Sequence, residues 1–468
     1  MAASEIVFLL SASFIGGVSA VQFFSPSLFA GAVVSAVFGA WGLLQGKHLR
    51  YFLIGFAVAA FGFFYVPFYG HFVASGNILP ASGAQFQSTV LGTSRISESS
   101  QTLRVALAPP FRGTADVIIA PLPEFRYGDL LSFKGGPMHD AGNGHPLLVY
   151  PALELLRSGA GAPVKQFLVN IRDRVRESFL LLLSKDSAAL LGGVTLGIRA
   201  DFSDAFKQAM SRSGTTHLVA LSGYNVAILA YAIFFLLGSW LPRRATLLIT
   251  VIAIVLFVLM VGAEASVVRA AVMGVLLVAA QGAGRMYDPR NAIAFTAAAM
   301  LVYDPTLVEF DLGFLLSFLS LCGIVYLAPA LAALTHLKKN PDAVFDLRGA
   351  LLTTLAAQLA VIPVLLAHFG GISLFALITN MLLLEIVPFV MALGFALGLI
   401  AFVAMPLARI LAWFAEIPLL YMSGVIYFFS SLAAPYGASF FSLPLAALYY
   451  AVLLGVILYA HEKQPAPS

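Results

Sequence analysis

Charged side chains are scarce in this 468-residue sequence. Asp, Glu, Lys and Arg make up 10% of it, whereas a soluble domain usually carries about 25%. Hydrophobic residues make up 60%, and the mean hydropathy is +0.94. This composition excludes an ordinary soluble domain and predicts a polytopic membrane protein with room for roughly ten spans of about 20 residues. The 26 basic and 22 acidic residues nearly balance, so net charge gives no argument for a nucleic-acid partner.

Cysteine is nearly absent, and the common metal and nucleotide motifs are missing. The single cysteine, Cys322, excludes an intrachain disulfide and a cysteine zinc site. The eight histidines are scattered without a His-x-His or His-x-x-x-His pair, so we predict no metal and no cofactor. A phosphate-binding glycine-lysine loop is absent, which excludes movement of a substrate driven by this chain's own nucleotide hydrolysis.

The N-terminal region, 1–75, contains transmembrane helices. Its apolar runs are 6–22, 27–44 and 51–67. Lys47 and Arg50 lie between the second and third runs, and the positive-inside rule places them in the cytoplasm. The next region is therefore predicted to be extracytoplasmic.

Residues 76–165 have the composition of a small β domain. Short β-rich runs, broken by Gly, Pro, Asn and Asp, occur at 86–93, 102–108, 116–120, 127–134 and 147–150. Five strands at this spacing favour a small closed barrel of oligonucleotide-binding (OB) type. The region carries seven basic and six acidic residues, so contact with single-stranded DNA and a structural or gating role both stay open.

Residues 166–214 are predicted to be amphipathic and connecting helices. Over 165–183 the apolar residues recur at helical spacing, and the arginines, among them Arg172, lie largely off that stripe. Such a helix either lies on a membrane surface or connects two domains. Further along, Ser203 is a candidate N-cap.

Residues 215–468 form the main membrane domain. Its predicted spans are 215–237, 245–262, 265–283, 291–303, 309–327, 349–368, 373–389, 390–404, 408–432 and 442–460. Hydropathy leaves open whether 373–404 crosses once or twice. The whole chain is thus predicted to be a polytopic α-helical membrane protein with an inserted extracytoplasmic small β-barrel (OB-like) domain.

The first of these spans carries a dense set of polar side chains. His217, Ser222 and Asn225 lie in an otherwise apolar stretch, and unpaired polar groups in hydrocarbon cost several kcal/mol. They should therefore face the protein interior or a watery cavity. Gly223 after Ser222 is a weak point in a helix and predicts a broken span, which is tolerated where it lines a cavity.

Other spans also carry isolated polar groups. Arg269 is the most costly, at about 2.5 kcal/mol or more near the bilayer centre, unless Glu264 or Ser266 pairs with it. The remaining candidates are Gln358, His368 and Asn380. Any one of them alone favours helix packing, and together they favour a hydrated interior. Asp288 and Asp311 precede apolar runs and are better explained as N-caps.

Four stretches resemble, in their sequences and in their order along the chain, those of the ComEC-type competence channel family. They are 217–226 (HLVALSGYNV), 265–273 (ASVVRAAVM), the segment from Asp288 through Asp304-Pro305 to 311–318 (DLGFLLSF), and the segment from Ile362-Pro363 through His368 to Asn380. The similarity covers roughly residues 80–400.

The resemblance implies import of single-stranded DNA across the cytoplasmic (inner) membrane during natural transformation, by a multi-pass channel rather than an enzyme. The implied pathway or packing residues are His217, Ser222, Arg269, Gly313, Ser317, His368 and Asn380. The polar residues Asn225 and Gln358 of the same spans complete the candidate DNA pathway. Asn225 and Leu315 stand where many relatives have histidine and glutamine. Large relatives also end in a metallo-β-lactamase-like domain, and we expect a short form without it.

The resemblance also implies a set of partners. They are single-stranded DNA, the lipid bilayer, a separate nuclease, a cytoplasmic helicase-like motor and an extracytoplasmic DNA-binding receptor. Two alternatives remain. A transporter of a smaller anionic or lipid substrate would use Arg269 and the broken helix equally well. An intramembrane enzyme would need His217 and Ser222 as base and nucleophile, and these point about 140° apart on a continuous helix.

Overall fold

A computed structural model describes most of the chain. The described residues are 3–21, 47–76, 78–80, 84–92, 95–96, 100–134, 139–140, 146–198, 202–219, 223–335, 347–369, 373, 375–432 and 443–462. The predicted span 27–44 and the candidate site residue Ser222 lie outside them. The described residues fall into two compact units, one within 1–174, 251–264 and 294–310, the other within 175–250, 265–293 and 311–468.

Helices make up most of the described structure. In chain order they are α1 (Ala3–Ala20), α2 (Lys47–Gly76), α3 (Pro163–Leu182), α4 (Lys185–Leu196), α5 (Asp204–Ser213), α6 (Gly223–Leu237), α7 (Arg243–Val261), α8 (Ala265–Gly282), α9 (Pro289–Tyr303), α10 (Leu307–Phe310), α11 (Leu312–Cys322), α12 (Ala328–Thr335), α13 (Leu347–Phe369), α14 (Ala376–Leu384), α15 (Val387–Val403), α16 (Met405–Leu432) and α17 (Leu443–Glu462). A 3₁₀ turn, Thr216–Leu218, precedes α6, and a π-helical turn, Gly323–Leu327, joins α11 to α12.

Within the described residues, five helical segments are long and apolar enough to cross a bilayer, as expected of a multi-pass membrane protein. They are Tyr51–Val73, Arg243–Val261, Leu312–Thr335, Arg348–His368 and Met405–Leu432. Shorter apolar helices accompany them at Ser4–Ala20, Asn225–Leu237, Ala265–Ala280 and Pro444–Ala460.

Several predicted span boundaries were wrong. The break predicted beside Gly223 is confirmed, so the full segment 215–237 was the wrong extent for one helix: a 3₁₀ turn covers Thr216–Leu218 and α6 starts at Gly223. The span predicted for 309–327 continues through the π turn to Thr335. The break in 373–404 lies between Leu384 and Val387, where α14 and α15 meet at 48°, and not at 389/390. Pro388 lies in the first turn of α15, where a proline is tolerated because the first N–H groups of a helix have no partner within it.

Local capping explains where several helices begin and end. The Ser203 hydroxyl accepts from the N–H of Phe206, and the carboxylates of Asp288 and Asp311 accept from the N–H groups of Arg290 and Phe314, at 2.9 to 3.2 Å. All three predicted N-caps are confirmed.

A proline inside α13 is accommodated by a neighbouring helix. Pro363 has no N–H, so the carbonyl of Leu359, four residues earlier, loses its usual partner. The hydroxyl of Tyr449 on α17 donates to that carbonyl at 2.8 Å, and the hydroxyl of Tyr450 donates to the next one, that of Ala360, at 3.0 Å. Membrane helices tolerate proline where a neighbour supplies the lost bond in this way.

The sheet lies between α2 and α3 in the chain. Its strands are β1 (Gln85–Val90), β2 (Arg95–Ile96), β3 (Gln101–Leu107), β4 (Thr114–Ile119), β5 (Leu130–Lys134), β6 (His139–Asp140), β7 (Pro146–Val149) and β8 (Ala152–Arg157). The order is β6-β7-β4-β3-β1-β5-β8, with β2 paired to β3. β4 and β7 are parallel and the other pairs are antiparallel.

Alternation along the strands builds the core of this sheet. In β3, every second residue from Gln101 to Leu107 is buried. The core consists of Phe86, Val90, Leu103, Val105, Leu107, Ala115, Val117, Ile119, Phe125, Leu131, Phe133 and Leu148. β8 does not alternate, since five of its six residues are exposed, and the sequence pattern did not predict it.

The arginines of α3 do not all lie on its polar side. Arg172 is only 6% exposed; its guanidinium donates to Asp173 at 2.7 Å and, at 3.5 Å, to the carbonyl of Met260. The prediction that Arg172 lies off the buried stripe was therefore wrong. Pairing with the adjacent carboxylate makes the burial of this charge tolerable.

The first turn of α3 is attached to the sheet through Lys165. Its ammonium donates to the carbonyl of Leu91 at 2.9 Å and lies 4.4 Å from the centroid of the Tyr127 ring. Burial, and then the charge of Arg172, lower the pKa of Lys165.

Candidate functional site

A short buried helix, α4, is the structural base of the candidate site. All ten residues from Ser187 to Leu196 are buried. Gly394 on α15 allows the close approach, because a Cβ there would lie 2.5 Å from the Thr195 side chain and 2.8 Å from that of Leu191. The helix therefore lies inside the helical bundle formed with α15 and α16.

Asn225, in the first turn of α6, closes the C-terminal end of α4. Gly197 ends α4 in the left-handed conformation, and the N–H groups of Gly197 and Ile198 bond to the carbonyls of Gly193 and Gly192. The Nδ2 atom of Asn225 donates to the next carbonyl, that of Val194, at 2.7 Å. Asn225 is 3% exposed, so this bond satisfies a buried carbonyl.

Arg269, in the second turn of α8, is a buried cation. Its side chain is 6% exposed, and within the described residues its Nη1 atom has no hydrogen-bond partner. The guanidinium carbon lies 5.7 Å from the centroid of the Phe318 ring on α11.

The guanidinium of Arg269 also faces the start of α6. A Cβ placed on Gly223 would lie 3.6 Å from Nη2 of Arg269, so the backbone of this glycine is close to that nitrogen. The first N–H groups of a helix have no partner within the helix and form its positive end. Two groups that both favour an anion therefore meet at Gly223.

Asn380 is buried in α14, next to the turn after α5. It is 2% exposed, and among the described residues its Oδ1 atom has no hydrogen-bond partner. Gly214, with φ +74°, ends α5, and a Cβ there would lie 2.5 Å from the Cβ of Ala376. The turn at Gly214 therefore lies closely against the helix that carries Asn380.

The other predicted site residues are less enclosed. Ser317 on α11 and Gln358 on α13 are half-buried, and His217 and His368 are exposed. The Nδ1 atom of His368 lies 3.1 Å from the carbonyl of Val364 in its own helix.

Packing connects the helices that carry these residues. α6 packs against α8, α8 against α11, α11 against α13, and α13 against α14. The structure thus places Asn225, Arg269, Ser317, Gln358, His368 and Asn380 on one series of contacting helices. The described part of the chain contains no group of three His, Cys, Asp or Glu side chains placed to hold a metal ion.

Sequence reasoning missed Glu416. It lies in the long apolar helix α16, and its Oε1 atom accepts from the hydroxyls of Ser184 at 2.5 Å and Ser187 at 2.8 Å. A carboxylate in an apolar span was visible in the sequence and carries the same insertion cost that singled out Arg269.

The part of the chain that contains these contacting helices is similar in sequence to known proteins. A family model described as "Competence protein" matches residues 194–463, more than half of the chain. ComE operon protein 3 of Bacillus subtilis (strain 168) is 26% identical over 237 residues, which are 50% of this chain and 29% of that protein. The match therefore spans less than a third of that relative's length. No solved structure matches the chain. Since the family model covers both α6 with Asn225 and α8 with Arg269, and most of the helical bundle around them, this chain belongs to the ComEC-type competence protein family.

Proposed function

We propose that this chain conducts single-stranded DNA across the cytoplasmic membrane during DNA uptake in natural transformation. The observation that carries the proposal is the buried guanidinium of Arg269, whose Nη1 atom has no acceptor among the described residues. A charge in an apolar helix is retained where it serves a substrate or ion path. A phosphodiester, like a carboxylate, offers oxygen acceptors that match the geometry of a guanidinium.

The neighbours of Arg269 suit a strand that must keep moving. The Phe318 ring covers one side of the guanidinium, and the start of α6 at Gly223 lies on another. A single cation at the end of a helix attracts a phosphate, and an aromatic ring tolerates any base. We place Asn380 and Ser317 on the same path, and assign conduction rather than catalysis to this chain.

The connectivity of the sheet supports an OB-like barrel. β1, β3 and β4 form an antiparallel meander, β5 pairs with β1, and β7 runs parallel to β4. Only Tyr150 and Pro151 separate β7 from β8, and β8 pairs with β5. The stretch from β7 to β8 thus bonds to β4 at one end of the path β4-β3-β1-β5 and to β5 at the other, and this connectivity supports a closed five-stranded Greek-key barrel. By the positive-inside rule we place this barrel outside the cytoplasm.

A groove at the proposed barrel has a mixed charge. It measures about 670 Å³ and is lined by Arg126 and Tyr127 together with Glu124 and Asp129. A groove built to follow a phosphate backbone would be uniformly basic. We therefore assign the barrel a supporting role and place the strand-conducting residues in the helical bundle.

Other proteins complete the proposed process. An extracytoplasmic DNA-binding receptor delivers DNA, a separate nuclease degrades one strand, and a cytoplasmic helicase-like motor draws in the other. This division fits a chain whose sequence carries no phosphate-binding glycine-lysine loop.

A transporter of a small anion is the competing function, because the same single cation at Arg269 would serve it. Salt dependence separates the two. Binding of a strand releases one counterion for each neutralised phosphate, so the logarithm of its affinity falls with log salt at a slope of about −0.7 per contact. One small anion gives a shallow slope.

The test uses the full chain in lipid nanodiscs and a fluorescent single-stranded oligonucleotide. We expect affinity to fall steeply between about 50 and 200 mM salt. Arg269→Gln should weaken binding and reduce the slope, whereas Arg285→Gln, which removes an exposed loop cation, should change neither appreciably. A shallow slope with competition by inorganic phosphate would favour the small-anion transporter.

A further inference from the structure

Glu416 is a carboxylate in the membrane domain that the proposed path does not use. It lies in α16, a 28-residue apolar helix, yet its side chain is only half-buried and makes three polar contacts. All three are with the first turn of α4. They are the Ser184 hydroxyl at 2.5 Å, the Ser187 hydroxyl at 2.8 Å and the Ser184 N–H at 3.4 Å.

These contacts fix the N-terminal end of α4. Ser184 is the N-cap residue, but its hydroxyl accepts no bond from the helix and is turned toward Glu416. A negative charge at this end of a helix is stabilised by the helix dipole. A second bond, from the Tyr427 hydroxyl of α16 to Asp186 at 3.0 Å, attaches the same turn.

The other end of α4 holds the candidate site. The carbonyl of Val194 accepts from Asn225, two residues after the glycine that faces Arg269. Between the two ends, Leu191 and Thr195 pack against Gly394. A buried helix of 12 residues is rigid over its length of about 18 Å, so its N-terminal anchor determines where its C-terminal carbonyl lies.

We propose that Glu416 is a positioning residue for the DNA path: it anchors α4, and α4 holds Asn225 and thereby the start of α6 opposite Arg269. This inference rests on the proposed function of that path. Glu416 itself does not touch the strand.

The experiment is a double-mutant cycle in the full chain, in a transformable host. Glu416→Ala, Asn225→Ala and the double variant are compared for uptake of labelled DNA at matched protein levels. We expect Glu416→Ala to reduce uptake by about tenfold and the double variant to be no worse than the poorer single variant, because both changes act on the same element. Glu309→Ala, which removes an exposed carboxylate, is the control and should leave uptake unchanged.

Conservative variants separate positioning from folding. Glu416→Gln keeps the Oε1 acceptor and should retain more uptake than Glu416→Ala, and Ser187→Ala should lower it in the same direction. Glu416→Gln and Ser187→Ala also test the proposal if the Glu416→Ala protein does not accumulate in the cell. Multiplicative effects of Glu416→Ala and Asn225→Ala would overturn the proposal. So would a Glu416→Gln variant no better than Glu416→Ala, together with Ser187→Ala without effect.

The melting temperature of each variant in detergent distinguishes a failure of the positioning role of Glu416 from a failure of the DNA path at Arg269. Coupling of Glu416 and Asn225 in melting temperature without any coupling in uptake would overturn the positioning role while leaving the DNA path standing. If Arg269→Gln took up DNA normally, the DNA path itself would fail, whatever the variants at Glu416 did.

Discussion

The side-chain amide of Asn225 closes the end of a helix to which it does not belong. Its Nδ2 atom donates to the carbonyl of Val194 at 2.7 Å, and both residues are buried. The bond joins the first turn of α6 to the last turn of α4. Asn225 therefore has a structural partner in addition to the path role proposed for the polar segment 217–225.

Replacement of Asn225 by alanine should destabilise the protein. The buried carbonyl of Val194 would lose its donor, which costs about 1–3 kcal/mol. The measurement is the melting temperature in detergent. Asn170→Ala, at an exposed position on α3, is the matched control and should change stability by less than about 0.5 kcal/mol. Equal losses in both variants would contradict this role for Asn225.

Tyr449 should matter only because α13 contains a proline. Tyr449→Phe leaves the carbonyl of Leu359 without a donor, and we expect a loss of about 1–2 kcal/mol. In a Pro363→Ala background the backbone N–H at position 363 can donate to the Leu359 carbonyl. Tyr449→Phe should then lower the free energy of unfolding much less. Thermal unfolding of the four proteins in this cycle measures the coupling, and additive effects would exclude this explanation.

Two glycines should respond in opposite directions to alanine. Gly214 has φ +74° and its Cβ would lie 2.5 Å from that of Ala376, so Gly214→Ala should destabilise the protein by more than about 1 kcal/mol. Gly424 lies inside α16, and a Cβ added there would meet no atom within 4 Å, so Gly424→Ala should be neutral or stabilising by up to about 1 kcal/mol. Thermal unfolding in detergent measures both variants, and a Gly214→Ala protein as stable as wild type would show that the turn at Gly214 is not constrained.

Patterns local in sequence predicted local structure well. Ser203, Asp288 and Asp311 were recognised as N-caps because a capping side chain acts within three residues of its own position. The family resemblance rested on collinear stretches and is confirmed by the match over 194–463. Composition alone predicted apolar helices long enough to cross a bilayer.

Features set by distant contacts could not be predicted. Arg172 is buried because its guanidinium donates hydrogen bonds to Asp173 and to the carbonyl of Met260, which lies 88 residues away in the chain. The strand β8 (Ala152–Arg157) exists through its pairing with β5, and its own residues show no alternation. The part played by Glu416 depends on serines 232 and 229 residues earlier in the chain.

Arg269 carries the central claim, and uptake of labelled DNA into a nuclease-resistant cytoplasmic pool tests it most directly. Wild type, a deletion of the chain, Arg269→Gln, Arg269→Lys and the control Arg285→Gln are compared at matched protein levels. We predict no uptake in the deletion, a loss of at least about tenfold in Arg269→Gln, partial uptake in Arg269→Lys and normal uptake in Arg285→Gln. Normal uptake by the deletion strain, or by Arg269→Gln, in a demonstrably competent host would contradict a DNA path at Arg269.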